Sequence, residues 1–205
     1  MSIPDTYTVK SIKPKETHDW LLHKHYAKRI PSISWAFGLY NSCLEGVCTF
    51  GKPASPALCV GICGEKYSSK VYELNRLVIN EECPKNTASY FVSKALKMLP
   101  DGLVLVSYAD KAMGHVGKVY QATNWIYTGA TKERTDIGSD DGTHSRHYDK
   151  SIDYSKHRKF RSSKHRYVYF TGNKYELNYP VKPYPKGNSK RYDASYKPQT
   201  QSTLF

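Results

Sequence analysis

Apolar and polar positions alternate in short runs along the first two-thirds of the chain, and the period of each run predicts its element. Thr6–Ile12 (TYTVKSI) alternates well enough for a first strand. Leu21 and Leu22, followed by His25 four and three residues on, predict one helix over Glu16–Lys28, opened by Thr17 or the Pro14 turn and ended near Ile30-Pro31. Ser34–Tyr40 and Leu44–Phe50 predict an antiparallel hairpin around Asn41-Ser42. The Pro-, Gly- and Ser-rich stretch Gly51–Ser69 reads as a long loop with one short apolar piece. Val71–Ile79 (VYELNRLVI) predicts a strand, with Tyr72, Leu74, Arg76 and Val78 on one face and Val71, Glu73, Asn75, Leu77 and Ile79 on the other. Asn86–Leu99 predicts a helix capped by Asn86 or Thr87 and stopped at Pro100-Asp101-Gly102. Leu103–Asp110 (LVLVSYAD) is apolar almost to its end, as a buried central strand should be. A helix over Gly114–Trp125 and a strand over Ile126–Ala130 complete the series.

Two strands bracketing the Asn86–Leu99 helix imply a βαβ crossover inside a mixed sheet. The whole order is an α/β one and resembles the acetyltransferase-like (GNAT) fold. It predicts a catalytic domain over 1–131. Residues 132–173 then form a basic extension that completes the domain and contains a short strand at Tyr167–Phe170. From 174 to 205 Tyr, Pro and Lys dominate without a helical period, which reads as an extended tail.

Composition narrows the class. No apolar run approaches the roughly 18–20 residues of a membrane span, and the N-terminus lacks the basic and apolar regions of a secretory signal. A location in the cytoplasm, without membrane contact, is therefore expected. The five cysteines are odd in number and lack zinc-type pairing, so they read as reduced thiols. The net charge of +13 is unevenly placed: His144–Phe205 holds 14 Lys and Arg against 4 acids. Such asymmetry points to a polyanionic partner reached mainly by the C-terminal third. Lys156–Arg166 (KHRKFRSSKHR) carries six Lys or Arg and no acid. Lys156, Arg158, Lys159, Arg161, Lys164 and Arg166 are expected to contact phosphates, and the interleaved aromatic residues to stack on or wedge between bases.

Several long segments, in order, resemble the Mom family of phage DNA modification proteins. They are His25-Tyr26, CTFGKPAS at Cys48–Ser55, ELNRL at Glu73–Leu77, NTASYFVSKAL at Asn86–Leu96 and VSYADKAMGHVGKVYQATNWIYTG at Val106–Gly129. The resemblance implies a GNAT-related fold and a transferase that converts adenine in double-stranded DNA to a methylcarbamoylated form, shielding phage DNA in the bacterial host from restriction. The fold suggests acetyl coenzyme A as donor, and an aminoacyl-tRNA is the alternative. The Gly-rich pyrophosphate loop of acetyltransferases is replaced by Glu-Glu-Cys-Pro-Lys-Asn-Thr, leaving Asn86, Thr87 and Ser89 at the helix N-terminus to meet an anion. Other readings are a non-catalytic DNA-binding protein on the same scaffold, or a transferase acting on tRNA or a protein amine.

The exocyclic amine of adenine is a weak nucleophile, so a catalyst must take its proton and stabilise charge on the electrophile. Asp110, at the end of the buried strand, is the expected base or amine-orienting group, with a helix or turn cap as the other reading. Ser107 and Tyr108 lie on opposite strand faces, so at most one should line the same cleft. Tyr120 is suited to protonate a leaving group or hold the donor, and Tyr108, Gln121 and Asn124 to meet the adenine. His25, beside Tyr26, would shuttle a proton near neutral pH. Arg76 would bind an anionic donor or a DNA phosphate, with Glu73 and Asn75 on the opposite face; a buried structural ion pair is the alternative. No spacing compels a metal site, although iron or zinc among His18, His23, His25 and His115 is conceivable. Gln201, Leu204 and Phe205 close the chain with a Gln-x-x-Leu-Phe pattern resembling peptides that bind bacterial sliding clamps.

Overall fold

The computed structural model describes residues 2–137 and 158–189. Among the described residues seven strands form one mixed sheet in the order β1-β2-β3-β4-β5-β9-β6: β1 (Thr8–Ser11), β2 (Trp35–Asn41), β3 (Cys43–Gly51), β4 (Val71–Ile79), β5 (Val104–Asp110), β6 (Ile126–Ala130) and β9 (Lys164–Phe170). A short helix α1 (Ile3–Thr6) precedes β1. Among the described residues the only parallel neighbours are β4 and β5, joined by helix α3 (Thr87–Lys97) as the βαβ pattern requires. The last strand, β9, is antiparallel to both β5 and β6 and separates them. A separate two-stranded ribbon pairs β7 (Arg134–Ile137) with β8 (Arg158–Arg161). Among the described residues no helix is long and apolar enough to cross a membrane.

Alternation along β5 feeds two cores. Leu105 and Ala109 pack with Phe91, Val92 and Ala95 of α3, together with Phe37, Phe50, Leu74, Trp125 and Tyr167. Val104 and Val106 pack on the other face with Val71, Val168 and Ile62. Each fully buried side chain of this kind contributes about 1.5–3 kcal/mol. The second face is covered by helix α2 (Pro56–Cys63), which forms within the stretch read as a loop. Ser55 precedes it, Pro56 opens it, and Gly64 (φ 80°) ends it. Its Cys59, Ile62 and Cys63 are the apolar residues that loop composition concealed.

The segment 174–189 is extended and lies packed along the domain. Asn178 N–H donates to Ile62 O (2.9 Å), Lys182 N–H to Tyr127 O (2.9 Å), and the Tyr184 hydroxyl to Trp125 O (2.6 Å). The predicted Glu16–Lys28 helix is instead a 3-10 turn (Pro14–Thr17) and a π turn (Trp20–Lys24). It stops at His25 because the Ala27 N–H donates to His25 Nδ1 (3.0 Å), a local bond that competes with a helical one. The helix expected over Gly114–Trp125 shrinks to α4 (Lys118–Ala122), because Gly114 and Gly117 adopt φ of 66° and 74°.

Between β3 and β4 the register slips: Thr49 faces Arg76 while Phe50 faces Leu74, leaving Asn75 as the extra residue of a β-bulge. The Asn75 side chain closes it, accepting from the Thr49 hydroxyl (2.6 Å) and donating to Ser32 O (2.9 Å). Ser32 O also presses against Gly51, where any Cβ would overlap it. Gly51→Ala should therefore displace the segment around Ser32 and loosen the bulge, at about 2–3 kcal/mol. A thermal melt should show Tm lowered by roughly 5–10 °C; an unchanged Tm would mean that the bulge does not depend on this close approach.

Candidate active site

The bulge overturns the strict alternation expected of β4. Leu74 and Leu77 pack into the same core although three residues apart, and Val78 packs with Trp20, Leu21 and Val47. Arg76 is thereby turned onto the face of Glu73 rather than the opposite one. Each group feels the other: the Glu73 charge favours ionised Arg76, and Arg76 favours ionised Glu73.

Strands β4 and β5 pair only from Val71 opposite Val104 to Glu73 opposite Val106, and then separate. The opening contains the polar residues of both strands. The Ser107 hydroxyl spans it, lying 2.8 Å from Leu74 O and 2.8 Å from the Tyr120 hydroxyl. With one proton each, Ser107 donates to the carbonyl and Tyr120 donates to Ser107. Burial raises the Tyr120 phenol well above its ordinary value, so it stays protonated and fixed.

Glu73 and Asp110 are the two carboxylates here, and their surroundings differ. Asp110 accepts from Ser162 Oγ (2.5 Å) and Ala112 N–H (3.0 Å) and pairs with Lys164 Nζ at 2.9 Å. Burial opposes its ionisation, but Ser162, Lys164 and the Ala112 N–H outweigh that and hold the carboxyl below the usual range. Glu73 is half-buried and has no hydrogen bond or contact ion pair among the described residues. Burial raises its pKa, opposed by the charges of Arg76, Lys164 and Arg29. Glu73 is therefore the better proton acceptor, and Asp110 a group that holds Lys164 in place. Composition hinted at Glu73, a charge in an apolar strand, but only the bulge shows which residues it faces.

Arg76 is 9% exposed; one guanidinium nitrogen donates to Asn75 O (2.6 Å) while its Nε has no partner among the described residues. His25, 7% exposed, stacks on Tyr26 with ring centroids 4.4 Å apart. Burial, with the charge of Arg76 and then of His115, Arg29 and Lys164, pushes His25 down to about 3. It is a neutral imidazole carrying its proton on Nε2, because Nδ1 accepts from Ala27. It is thus a fixed donor rather than the neutral-pH shuttle expected from sequence. Tyr108 shares the Glu73 face and is likewise held neutral by burial.

Other sequence-selected residues lie elsewhere. Gln121 Nε2 braces Val116 O (2.9 Å) and Pro185 O (3.3 Å), and Asn124 is an exposed turn residue with φ 60°. Arg166 is held within the fold, donating to Thr128 Oγ1 (2.8 Å) and stacking on Tyr179 at 3.3 Å, so it does not reach outward to a phosphate. Asn86 precedes α3 with φ 72° and no side-chain cap bond, and Ser89 donates to Asn86 O (2.9 Å). Thr87 Oγ1 at that helix start is fully buried without a partner among the described residues. Arg158, Lys159 and Arg161 lie in β8, whereas Lys156 and the 201–205 peptide fall outside the described residues. Among the described residues no group of three or more His, Cys, Asp and Glu is arranged to hold a metal, so His18, His23, His25 and His115 do not form the iron or zinc site entertained above.

The neutral His25 makes stability depend on pH. Its folded pKa lies below its unfolded value of 6.5, so the unfolded chain binds the extra proton and stability is lost as pH falls from 6.5 towards about 3. The slope due to this group is at most about 1.4 kcal/mol per pH unit. Urea titrations of wild type and His25→Gln across that window should show the slope reduced in the variant; identical slopes would remove His25 as its source.

The sequence pattern of the Mom protein family matches residues 6–186. The methylcarbamoylase Mom of Escherichia phage Mu is 29% identical over 135 residues, which cover 60% of this chain and 56% of that protein. The chain thus spans little more than half the length of this curated relative. Among solved structures, a candidate phosphinothricin N-acetyltransferase superposes with a TM-score of 0.50 at 12% identity, over 82% of this chain and 99% of that one. YncA, an acetyltransferase candidate of Salmonella typhimurium solved with acetyl-CoA, superposes with a TM-score of 0.48 at 8% identity, over 83% and 96%. At such identity the former likeness shows the acetyltransferase-like fold and nothing finer. The family match extends over most of the chain, from before β1 into the packed segment after β9, and on that basis the chain belongs to the Mom protein family.

Proposed function

We propose that this protein is a DNA-modifying transferase that converts adenine in double-stranded DNA to an N6-methylcarbamoyl-type adenine, protecting phage DNA from host restriction. The observation that carries the reading is the half-buried Glu73 carboxylate, without a contact partner among the described residues, beside buried Arg76 where β4 and β5 part. A pure binding scaffold gains nothing from such a pair, because burying ionisable groups without full hydrogen bonding costs stability. A site that must take a proton from a weak amine and meet an anionic donor uses both.

The chain's own groups divide the work. Glu73 accepts the proton that leaves the adenine amine as it attacks. Arg76 Nε and the Thr87 hydroxyl, both buried and unpartnered among the described residues, fit the phosphates of a carrier such as acetyl coenzyme A or an aminoacyl-tRNA. When bound, that carrier would supply the electrophilic carbonyl carbon. As the C–N bond to adenine forms, the thioester or ester bond breaks and the carrier's thiol or ribose hydroxyl leaves with a proton. Because a plain acetyl group holds no nitrogen, the acyl group transferred must itself contain the nitrogen of the product. Lys164, held by Asp110, and the Nε2–H of His25 offer positive charge and a hydrogen bond to the oxygen on which negative charge develops. The hydroxyl pair Ser107–Tyr120 keeps the strands at their separation. Lys132, Arg134 and Arg161 are exposed basic residues for the DNA backbone. The Gln201–Phe205 peptide would tether the enzyme to a sliding clamp.

Nucleosides from plasmid DNA of cells expressing the protein should contain a deoxyadenosine adduct of methylcarbamoyl mass, read by mass spectrometry. Glu73→Gln should lower adduct formation about 10²–10⁴-fold with duplex binding retained. Asp110→Ala, which releases Lys164, should also stop modification and leave binding intact. The acid limb of the wild-type rate should lie above the ordinary Glu value of 4.5, since burial raises Glu73 and the base works only when ionised. Equal adduct from Glu73→Gln would remove Glu73 from the reaction, and DNA-bound protein that leaves every base unmodified would end the transferase reading.

A further inference from the structure

The basic run divides in the structure into an inward and an outward part. His165 and Tyr167 of β9 are buried, and Tyr169 packs on Trp125. Phe160 of β8 is 53% exposed, the largest exposure of any Phe, Tyr or Trp among the described residues. It lies opposite Thr135 in the β7–β8 ribbon, and the next pair, Arg134 and Arg161, sets two exposed arginines directly across from each other. Successive pairs point to opposite faces. One face of the ribbon thus carries an aromatic ring and the other two guanidinium groups, one from each strand.

The ribbon is also mechanically connected to the site. Two residues after Phe160, the Ser162 hydroxyl bonds Asp110, and two residues later Lys164 pairs with the same carboxylate. Phe160 therefore sits about 7 Å of extended chain from a group in the active site. An exposed apolar ring on a two-stranded ribbon with exposed arginines is costly in water and favourable against a stack of bases flanked by phosphates.

Resting on the DNA-modifying reading above, we propose that the β7–β8 ribbon enters a groove of duplex DNA and that Phe160 wedges between base pairs, filling the stack when the target adenine swings out toward Glu73. Arg134 and Arg161 bind the flanking phosphates. A two-stranded ribbon fits a DNA groove in width, and a base inside a duplex must leave the stack before its amine can reach a buried carboxylate.

Topoisomerase relaxation of a closed plasmid in the presence of the full-length protein reads the wedge directly, because insertion unwinds the duplex and changes the linking number. Wild type should unwind. Phe160→Ala should bind a short duplex within about threefold of wild type at the same salt, yet lose unwinding and form at least tenfold less adduct, while Phe160→Trp keeps both. Unwinding and adduct unchanged in Phe160→Ala would overturn the proposal. So would loss of duplex binding in parallel with unwinding, which would make Phe160 merely part of the ribbon's structure, or a preference of wild type for single-stranded RNA with no unwinding. A wild type that modifies adenine without unwinding defeats the wedge alone, whereas a wild type that unwinds DNA but leaves no adduct defeats the transferase reading alone.

Discussion

An extra residue in one strand of an antiparallel pair bends that strand and reverses the faces of every side chain beyond it. Here the extra residue is Asn75, and both ends of its amide are engaged, by Thr49 and by the Ser32 carbonyl. With strict alternation Arg76 would enter the core beneath α3, beside Leu74. The bulge turns it instead to the face of Glu73, just past the point where β4 and β5 cease to pair. The placing of the buried guanidinium on the face of Glu73, at the opening that contains the candidate site, follows from that local slip.

The charges in this opening are arranged so that similar groups differ in behaviour. Asp110 is held ionised by three donors, whereas Glu73 faces positive charge only at a distance and feels burial most. His25 is kept neutral by burial and by the positive charge of Arg76, Arg29 and Lys164. Two carboxylates with opposite tendencies and one neutral imidazole suit a reaction in which one group must accept a proton and others must not.

Strand β9 connects this chemistry to the outer surface. Its first residue, Lys164, belongs to the site through Asp110, and its neighbours Arg166 and Tyr167 are held by Thr128, Tyr179 and Val116 O. The segment 174–189 covers the same strand and α2, so residues of high positive charge and tyrosine content serve as packing as well as surface. This is why a basic run read from composition divides: its β9 portion faces inward to the sheet and its β8 portion faces outward in a ribbon.

Periodicity and end signals along the chain determined the strands β2 to β6, the α3 crossover and hence the mixed acetyltransferase-like sheet, because those signals are local. The stretch from Val106 to Gly129, with Glu73–Leu77 and Asn86–Leu96, carried the family resemblance for the same reason. Local signals misread His25, whose ring captures the Ala27 N–H and ends the helix, and Gly51–Ser69, where α2 forms by burying cysteines against distant strands. They could not show that Arg76 and Glu73 share a face, that Asp110 holds Lys164 from 54 positions away, or that Gln121 and Arg166 brace the packed segment rather than a substrate. Those facts depend on a bulge fixed by three separate segments and on a last strand inserted between two earlier ones. Tertiary contacts alone create both, so no window of sequence contains them.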